Sequence, residues 1–300
     1  MLTDLLQAVF SALSVGSIYA LVAVGVTLVF AGTRIINFAQ GEFVMLGGMI
    51  MVTLNGNWGW PLYAAIPATL VITALVAAAL MKIAYRPEKN TSLITVLIIT
   101  IGASLLISGG AYHIWDGDVH RFPPFSGEEP LHLAGAAIVP QALWVIGATT
   151  IIFFLLVTFF RYSIYGKAIM ACSIDATAAG LIGIRVRTMV LASFILSGLL
   201  GCFVGILVTP MIMVDYSLGM LVAIKGFAAA MLGGMGSIVG AVLGGYIFSF
   251  LEAFSVTFIS SSLKELVTFI VIILVLLFRP NGLLGPRIRE SLDDEDIFGK

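Results

Sequence analysis

The feature that most constrains this chain is a succession of continuous apolar runs, each long enough to be a membrane helix, at 8–30, 38–54, 61–84, 92–112, 141–160, 188–210, 218–235, 238–257 and 261–278. A helix crossing the hydrocarbon core needs about 20 predominantly apolar residues. The runs are unbroken rather than alternating, which favours helices over barrel strands, and in lipid only those two solutions satisfy every backbone group. Composition closes the argument: 60% of the 300 residues are hydrophobic and 10% are charged. An ordinary soluble domain carries about 25% charged residues. A soluble enzyme, a nucleic-acid binder and a disordered scaffold are therefore excluded. The expectation is an all-α polytopic membrane protein of about 8–9 transmembrane helices, with a transmembrane domain over 1–285 and a tail over 286–300. The Gly-rich stretch 218–257, interrupted at Gly233-Gly234-Met235-Gly236-Ser237, reads either as two spans or as a re-entrant hairpin.

Basic residues orient such a chain, because short cytoplasmic loops collect Lys and Arg. Arg34; Lys82, Arg86 and Lys89; Arg161, Lys167, Arg185 and Arg187; and Arg279, Arg287, Arg289 and Lys300 fall on one side, 12 of the 15 basic residues. The loop 113–140 on the other side holds Asp116, Asp118, Glu128 and Glu129 against Arg121 alone. The N-terminus is thus expected outside and the C-terminus in the cytoplasm. Met1-Leu2-Thr3-Asp4 has no basic segment before the first apolar run, which argues against a cleaved signal peptide. The loop 113–140, with Pro123-Pro124 and Pro130, reads as an ordered extracytoplasmic cap or partner-docking surface. The stretch 161–187 is alanine-rich, too polar to span, and reads as a cytoplasmic helix over 167–179. The run Asp293-Asp294-Glu295-Asp296 reads as a solvated end.

Soluble chemistry is missing. No GxxxxGK[ST] phosphate loop and no GxSxG nucleophile motif occur, so the chain is expected neither to hydrolyse ATP nor to be an enzyme. His113, His120 and His132 match no metal-ligand spacing, and Cys172 and Cys202 are too few for a disulfide framework. No metal site and no cofactor bound by this chain is expected.

Three polar groupings inside or beside the apolar runs are candidates for function. Asn37, Gln40 and Glu42 stand at the cytoplasmic start of the second run, as a polar stretch of a translocation path or gate, or as a structural network in which Arg34 neutralises Glu42. Lys225 and Glu252 are opposite charges at similar depth, suited to a buried pair or to direct solute contact. Gly233 and Gly234, with Gly236, Gly240 and Gly244, serve either close helix packing or a broken helix lining a pore. Met-Leu-Gly-Gly-Met recurs at 45–49 and 231–235, an echo that chance explains equally well in this composition.

Four stretches, Thr33-Arg34-Ile35-Ile36-Asn37-Phe38-Ala39-Gln40-Gly41-Glu42-Phe43, Asp175-Ala176-Thr177-Ala178-Ala179-Gly180-Leu181-Ile182-Gly183-Ile184, Leu232-Gly233-Gly234-Met235-Gly236-Ser237 and Phe278-Arg279-Pro280-Asn281-Gly282-Leu283-Leu284-Gly285, together resemble the branched-chain amino acid ABC transporter permease family of the LivH type. With Gly16-Ser17-Ile18-Tyr19-Ala20-Leu21 and Gly25-Val26-Thr27-Leu28-Val29-Phe30 leading into the first of them, the resemblance runs from about residue 16 to 285. It implies an ATP-driven importer moving branched-chain amino acids or a related small solute such as an amide, urea or an aromatic acid. It further implies a heterodimer with a second homologous permease subunit, two cytosolic ATPase subunits that carry the ATP and Mg, and an extracytoplasmic solute-binding protein. The expected location is the bacterial inner membrane. The segment with Lys167, Asp175, Thr177, Ala178, Ala179 and Gly183 would couple to the ATPases. Gln40 and Glu42 replace the family's more frequent His and Asp, and Thr177 replaces an acidic residue. A passive channel or an ion-coupled secondary transporter is the competing class; an ion-coupled carrier would be expected to hold paired acids or histidines near the midplane.

The orientation has a direct test. Single cysteines placed in 113–140 should react with an impermeant thiol reagent in intact cells, and those in 161–187 only after permeabilisation; the opposite pattern would invert the topology.

Overall fold

The computed structural model describes residues 2–84, 93–127, 129–133 and 136–285. The acidic run 293–296 and the basic residues Arg86, Lys89, Arg287, Arg289 and Lys300 lie outside them. The helices are α1 (Leu2–Thr33), α2 (Gln40–Met51), α3 (Leu62–Ala84), α4 (Leu93–Trp115), α5 (Pro140–Tyr162), α6 (Ile164–Ile174), α7 (Ala176–Leu181), α8 (Val186–Val208), α9 (Leu218–Gly233), α10 (Ile238–Phe258) and α11 (Lys264–Phe278). A π-helical turn at Val52–Asn57 prolongs α2. Among the described residues, seven helices are long and apolar enough to cross a membrane, α11 counted with the 3-10 turn before it. α9, with 16 residues, spans about 24 Å at 1.5 Å per residue, less than the ~30 Å core of a bilayer. α10, with 21 residues, reaches across, so the two Gly-rich helices form an antiparallel pair of unequal length rather than two matched spans. A small antiparallel hairpin, β1 (Leu131–Leu133) with β2 (Ala136–Ile138), is added to the all-α plan.

The bundle has two ends. The first face carries the start of α1, the loop between α4 and α5, and the segment from Thr209 to Ser217. The second carries residues 34–39, α6, α7 and the turn from Gly234 to Ser237. α1 is the hub, buried on most sides and packed on α10, α8, α9, α5 and α6, whereas α4, α5 and α11 turn large apolar side chains such as Leu106, Phe154 and Leu277 outward. Hydrocarbon is the only solvent that leaves so much apolar surface without penalty.

Glycines set the helix spacing. A methyl on Gly205 of α8 would collide with the Val44 carbonyl of α2, and one on Gly41 with the Gly219 carbonyl of α9. Lipid tails are as apolar as leucine, so helices associate through close packing instead of hydrophobic expulsion.

The second apolar run does not form a full helix from one face to the other. Residues 34–39 climb into the bundle without helical structure, and α2 starts at Gln40, beside Ser197, eleven residues or about 16 Å into α8. Non-helical backbone at that depth is tolerable only inside protein. Ile35, Asn37 and Ala39 are all buried.

On the first face, described residues of the loop between α4 and α5 are tied to the bundle. Gln7 of α1 clamps Ala137 through two 3.0 Å hydrogen bonds, and His120 exchanges two 2.8 Å backbone bonds with Val214. Trp144 Nε1 donates to Ser126 Oγ at 2.6 Å.

Gly205→Ala should therefore lower the thermal stability of the purified protein, with overpacking costing about 1–3 kcal/mol. Gly102→Ala should not, because nothing lies within 4 Å of the added methyl. A melting comparison in detergent checks the pair, and equal melting of both variants would contradict the packing.

Candidate functional site

Asn37, Gln40 and Glu42 are all within 1% of full burial, and Gln40 and Glu42 bond the middle of α8 and α4 rather than the bundle's end. The Asn37 side chain acts as a local cap: its Oδ1 accepts from Ala39 N at 3.1 Å, and its carbonyl accepts from Gln40 N at 3.3 Å. The Gln40 amide faces α8. Its Nε2 donates to the Ser197 carbonyl at 3.1 Å, and its Oε1 accepts from Ser197 Oγ at short range. Gly25 of α1 has no side chain because the Gln40 amide fills that space. Glu42 Oε1 accepts from Ser104 Oγ of α4 at 2.7 Å. Its other oxygen packs on Gly219, in the first turn of α9, where the positive end of the helix dipole offsets part of the carboxylate's desolvation. Glu42 Oε2 and Asn37 Nδ2 have no hydrogen-bond partner among the described residues.

The Arg34–Glu42 network read from the sequence is replaced by a different arrangement. Arg34, in a left-handed backbone conformation with φ 57°, donates to the Ser173 carbonyl of α6 at 3.1 Å and lies over the Phe30 ring. Glu42, one turn into α2, points away from it toward α4 and α9.

The second polar centre lies near the first face. Lys225 Nζ of α9 is 2.6 Å from Glu252 Oε1 of α10, and both side chains are about nine-tenths buried. The Tyr19 phenol of α1 donates to Glu252 Oε2 at 2.8 Å, and Lys225 Nζ lies 5.7 Å from the Tyr19 ring centroid. Glu265 Oε1 is 3.5 Å from Lys225 Nζ and Lys264 Nζ is 3.9 Å from Glu252 Oε1, so α11 closes the cluster with two half-exposed charges. Tyr19, Lys264 and Glu265 were missed by sequence reasoning. Lys264 and Glu265, adjacent at the head of the last apolar run, were the available signal. A cavity of about 490 Å³ opens onto this cluster between α1 and α10.

Gly233 and Gly234 sit at the turn between α9 and α10. A methyl on Gly233 would strike the Gly240 carbonyl, and Gly234 has φ 106°, in the region only glycine readily adopts. The segment after α11 folds back here: Leu283 N donates to the Leu232 carbonyl at 3.0 Å and Leu284 N to the Gly233 carbonyl at 2.9 Å.

The helix expected over 167–179 is broken into two. Asp175 is extended, with φ −150°, and its Oδ1 accepts from Thr177 N and Ala178 N at 2.8 and 2.9 Å, capping α7. An N-capping carboxylate followed by small residues favours a new start over continuation. Gly183, with φ 91°, turns the chain toward α8, and Ile184 N bonds the Ala179 carbonyl at 3.0 Å. Ala179 is buried within this chain, so it cannot form part of an outward seat; Lys167, Thr177 and Ala178 are exposed. Sequence reasoning missed the larger outward surface of Ile164, Tyr165, Met170, Ile174, Leu181 and Ile182. No group of three or more His, Cys, Asp or Glu suited to a metal occurs among the described residues, and both cysteines are buried.

Residues 8–276 match the family described as branched-chain amino acid transport system / permease component. The chain is 32% identical over 296 residues to the high-affinity branched-chain amino acid transport system permease protein LivH of Escherichia coli K12, covering 93% of this chain and 95% of that one. It is likewise 32% identical over 295 residues to the permease protein BraD of Pseudomonas aeruginosa, with 93% and 95% covered. The ribose import permease protein RbsC of Haemophilus influenzae is 25% identical over 273 residues, covering 87% of this chain and 81% of that one.

Removing one partner of a buried ion pair costs about 3–5 kcal/mol where the other charge is stranded, and less here, because Lys264 or Glu265 stays within 3.5–3.9 Å as a half-exposed counter-charge. Lys225→Met and Glu252→Gln should each lower thermal stability accordingly, and the charge swap Lys225→Glu/Glu252→Lys should recover part of the loss. Singles that melt like the wild type would show that the pair contributes nothing to the fold.

Proposed function

The chain belongs to the branched-chain amino acid transport permease family, and on that footing we propose that it is the membrane-spanning subunit of an ATP-driven importer for branched-chain or closely related neutral amino acids. In this reading the second face is cytoplasmic, in keeping with the concentration of Lys and Arg there, and the first face meets an extracytoplasmic solute-binding protein. A second, homologous permease subunit completes the path, and two cytosolic ATPase subunits bind the ATP and Mg that this chain has no phosphate loop to hold.

The observation that carries the reading is the build of α6 and α7. These helices lie beside the spanning bundle yet leave Ile164, Tyr165, Met170, Ile174, Leu181 and Ile182 exposed, apolar surface of the kind that supports an interaction site. Their inner side is anchored. Gly166 packs against the backbone of Phe159 and Phe160 in α5, Ile169 and Cys172 are buried, and Arg34 ties the end of α6 to the end of α1. A push on the outward face therefore moves α5 and α1 together as rigid bodies, the form in which small interface shifts are transmitted through packed helices. Asn37, Gln40 and Glu42 lie at the inner terminus of that train, where α2 begins against α1 and α8. A shift of α1 relative to α8 strains the bond from Ser197 Oγ to the Gly25 carbonyl and the seat of the Gln40 amide on Gly25 first, which makes this cluster the gate of the proposed path. Gly233 and Gly234 serve as the close-packed pivot between α9 and α10.

Ile174→Glu and Leu181→Glu place a charge on the proposed docking surface without touching the core. Each should release the co-purifying ATPases and cut ATP-dependent uptake at least tenfold while the permease melts normally. Retained association and uptake in both variants would defeat the docking assignment, and solute flux in proteoliposomes without any ATPase would favour the passive or ion-coupled class instead.

A further inference from the structure

The cavity on the first face runs between α1 and α10, from Asp4 and Gln7 near the start of α1 down to Tyr19, Lys225 and Glu252. Its position is unusual for a bilayer. Ser11 and Tyr19 on α1, Ser249 and Glu252 on α10 and Lys225 on α9 make a polar seam along three helices whose other surfaces are largely apolar. Polar and charged groups inside the membrane face a protein interior or a watery cavity, because acyl chains cannot solvate them. At about 490 Å³ the cavity also falls within the roughly 300–1,000 Å³ range of small-molecule sites.

Its floor has an electrostatic pattern of a particular kind. A lysine and a glutamate stand side by side, each with a second, half-exposed opposite charge at 3.5–3.9 Å, Glu265 for Lys225 and Lys264 for Glu252. Such a quartet can exchange partners: when Lys225 and Glu252 separate, each has another counter-charge within reach. A molecule carrying one ammonium and one carboxylate presents both missing partners at once. Val15, Ala253 and Val256 add apolar wall for a side chain.

We infer that this cavity is a transit site for the zwitterionic head of a neutral amino acid, with Lys225 receiving the carboxylate, Glu252 receiving the ammonium, and Tyr19 holding the second oxygen of Glu252 in place. The inference rests on the importer reading and adds the recognition site within this chain. The solute inserts between the two charges, and Glu265 and Lys264 compensate them as the pair opens and recloses. A solute without both charges, such as a sugar or an amide, lacks the means to part them.

A purely structural pair and a recognition pair respond differently to neutralisation of both members at once. Replacing both charges of a buried pair by uncharged side chains of similar volume is often neutral or stabilising. The test uses the complete transporter, with its ATPases and binding protein, in proteoliposomes, and leucine as the probe. The double variant Lys225→Met/Glu252→Gln should melt like the wild type and retain its ATPases, yet lose leucine uptake at least tenfold. Wild-type leucine uptake by the double variant would overturn the inference. Should the double variant fail to assemble, Ser11→Cys in the cavity wall gives the second measurement. A small cationic thiol reagent should block its uptake, and transport of leucine through the site should slow that labelling. Labelling that proceeds at one rate with and without turnover would also overturn it. Absence of ATP-driven leucine uptake by the wild type would instead count against the importer reading itself.

Discussion

Everything in this bundle depends on the rule that a backbone amide or carbonyl inside a bilayer must find its partner within the protein. The chain breaks helical structure at residues 34–39 and starts α2 deep in the interior, a place where lipid would leave those groups stranded. The break survives because α1, α8 and α9 close around it. That closure requires backbones to meet, which they do at Gly41 and Gly205, while Gly25 and Gly219 make room for the Gln40 and Glu42 side chains. The small residues do not merely add packing energy; they make the interruption possible.

The interruption then decides where polar chemistry resides. Asn37 caps the gap, Gln40 and Ser197 satisfy each other across α2 and α8, and Glu42 takes a hydroxyl from α4 and the dipole end of α9. The second centre, Lys225 with Glu252 and Tyr19, follows a different logic, with full charges compensated by other full charges. One centre is held by neutral hydrogen bonds against buried backbone, the other by a quartet that opens to a cavity. In the proposed importer the first would act as a seal that resists leakage and the second as a surface that trades partners with a solute.

Much of the architecture was legible from the sequence, because hydrocarbon imposes length and apolarity on every spanning helix; α3, α4, α5, α8 and α10 fall where the apolar runs are. Depth was not. Gln40 and Glu42 look the same in sequence whether they sit at a membrane surface or in the bundle centre, and the residues that fix their level, Ser197 and Ser104, lie far along the chain. The break at Asp175 was in principle readable, as an acid followed by small residues at a helix start, but the alanine-rich run argued for continuity. Ala179 shows a harder limit. A small residue packs closely against something, and only the fold says whether that is a partner or, as here, its own chain. Opposite sign and similar depth suggested Lys225 and Glu252 as neighbours, whereas the contribution of Tyr19 came only with the fold, because its phenol sits more than two hundred residues away in sequence.

The return of residues 282–285 onto the end of α9 has a consequence for biosynthesis. The last carbonyls of a helix have no partner within it, and those of Leu232 and Gly233 are met by Leu283 and Leu284, fifty residues later. While the ribosome is still making α10 and α11, the tight turn at Gly234 is exposed and its carbonyls are bare. Synthesis runs from the N-terminus at about 5–20 residues per second, so this gap lasts for seconds. In a nascent permease this spot thus stays open until the segment that follows α11 has been made and laid down.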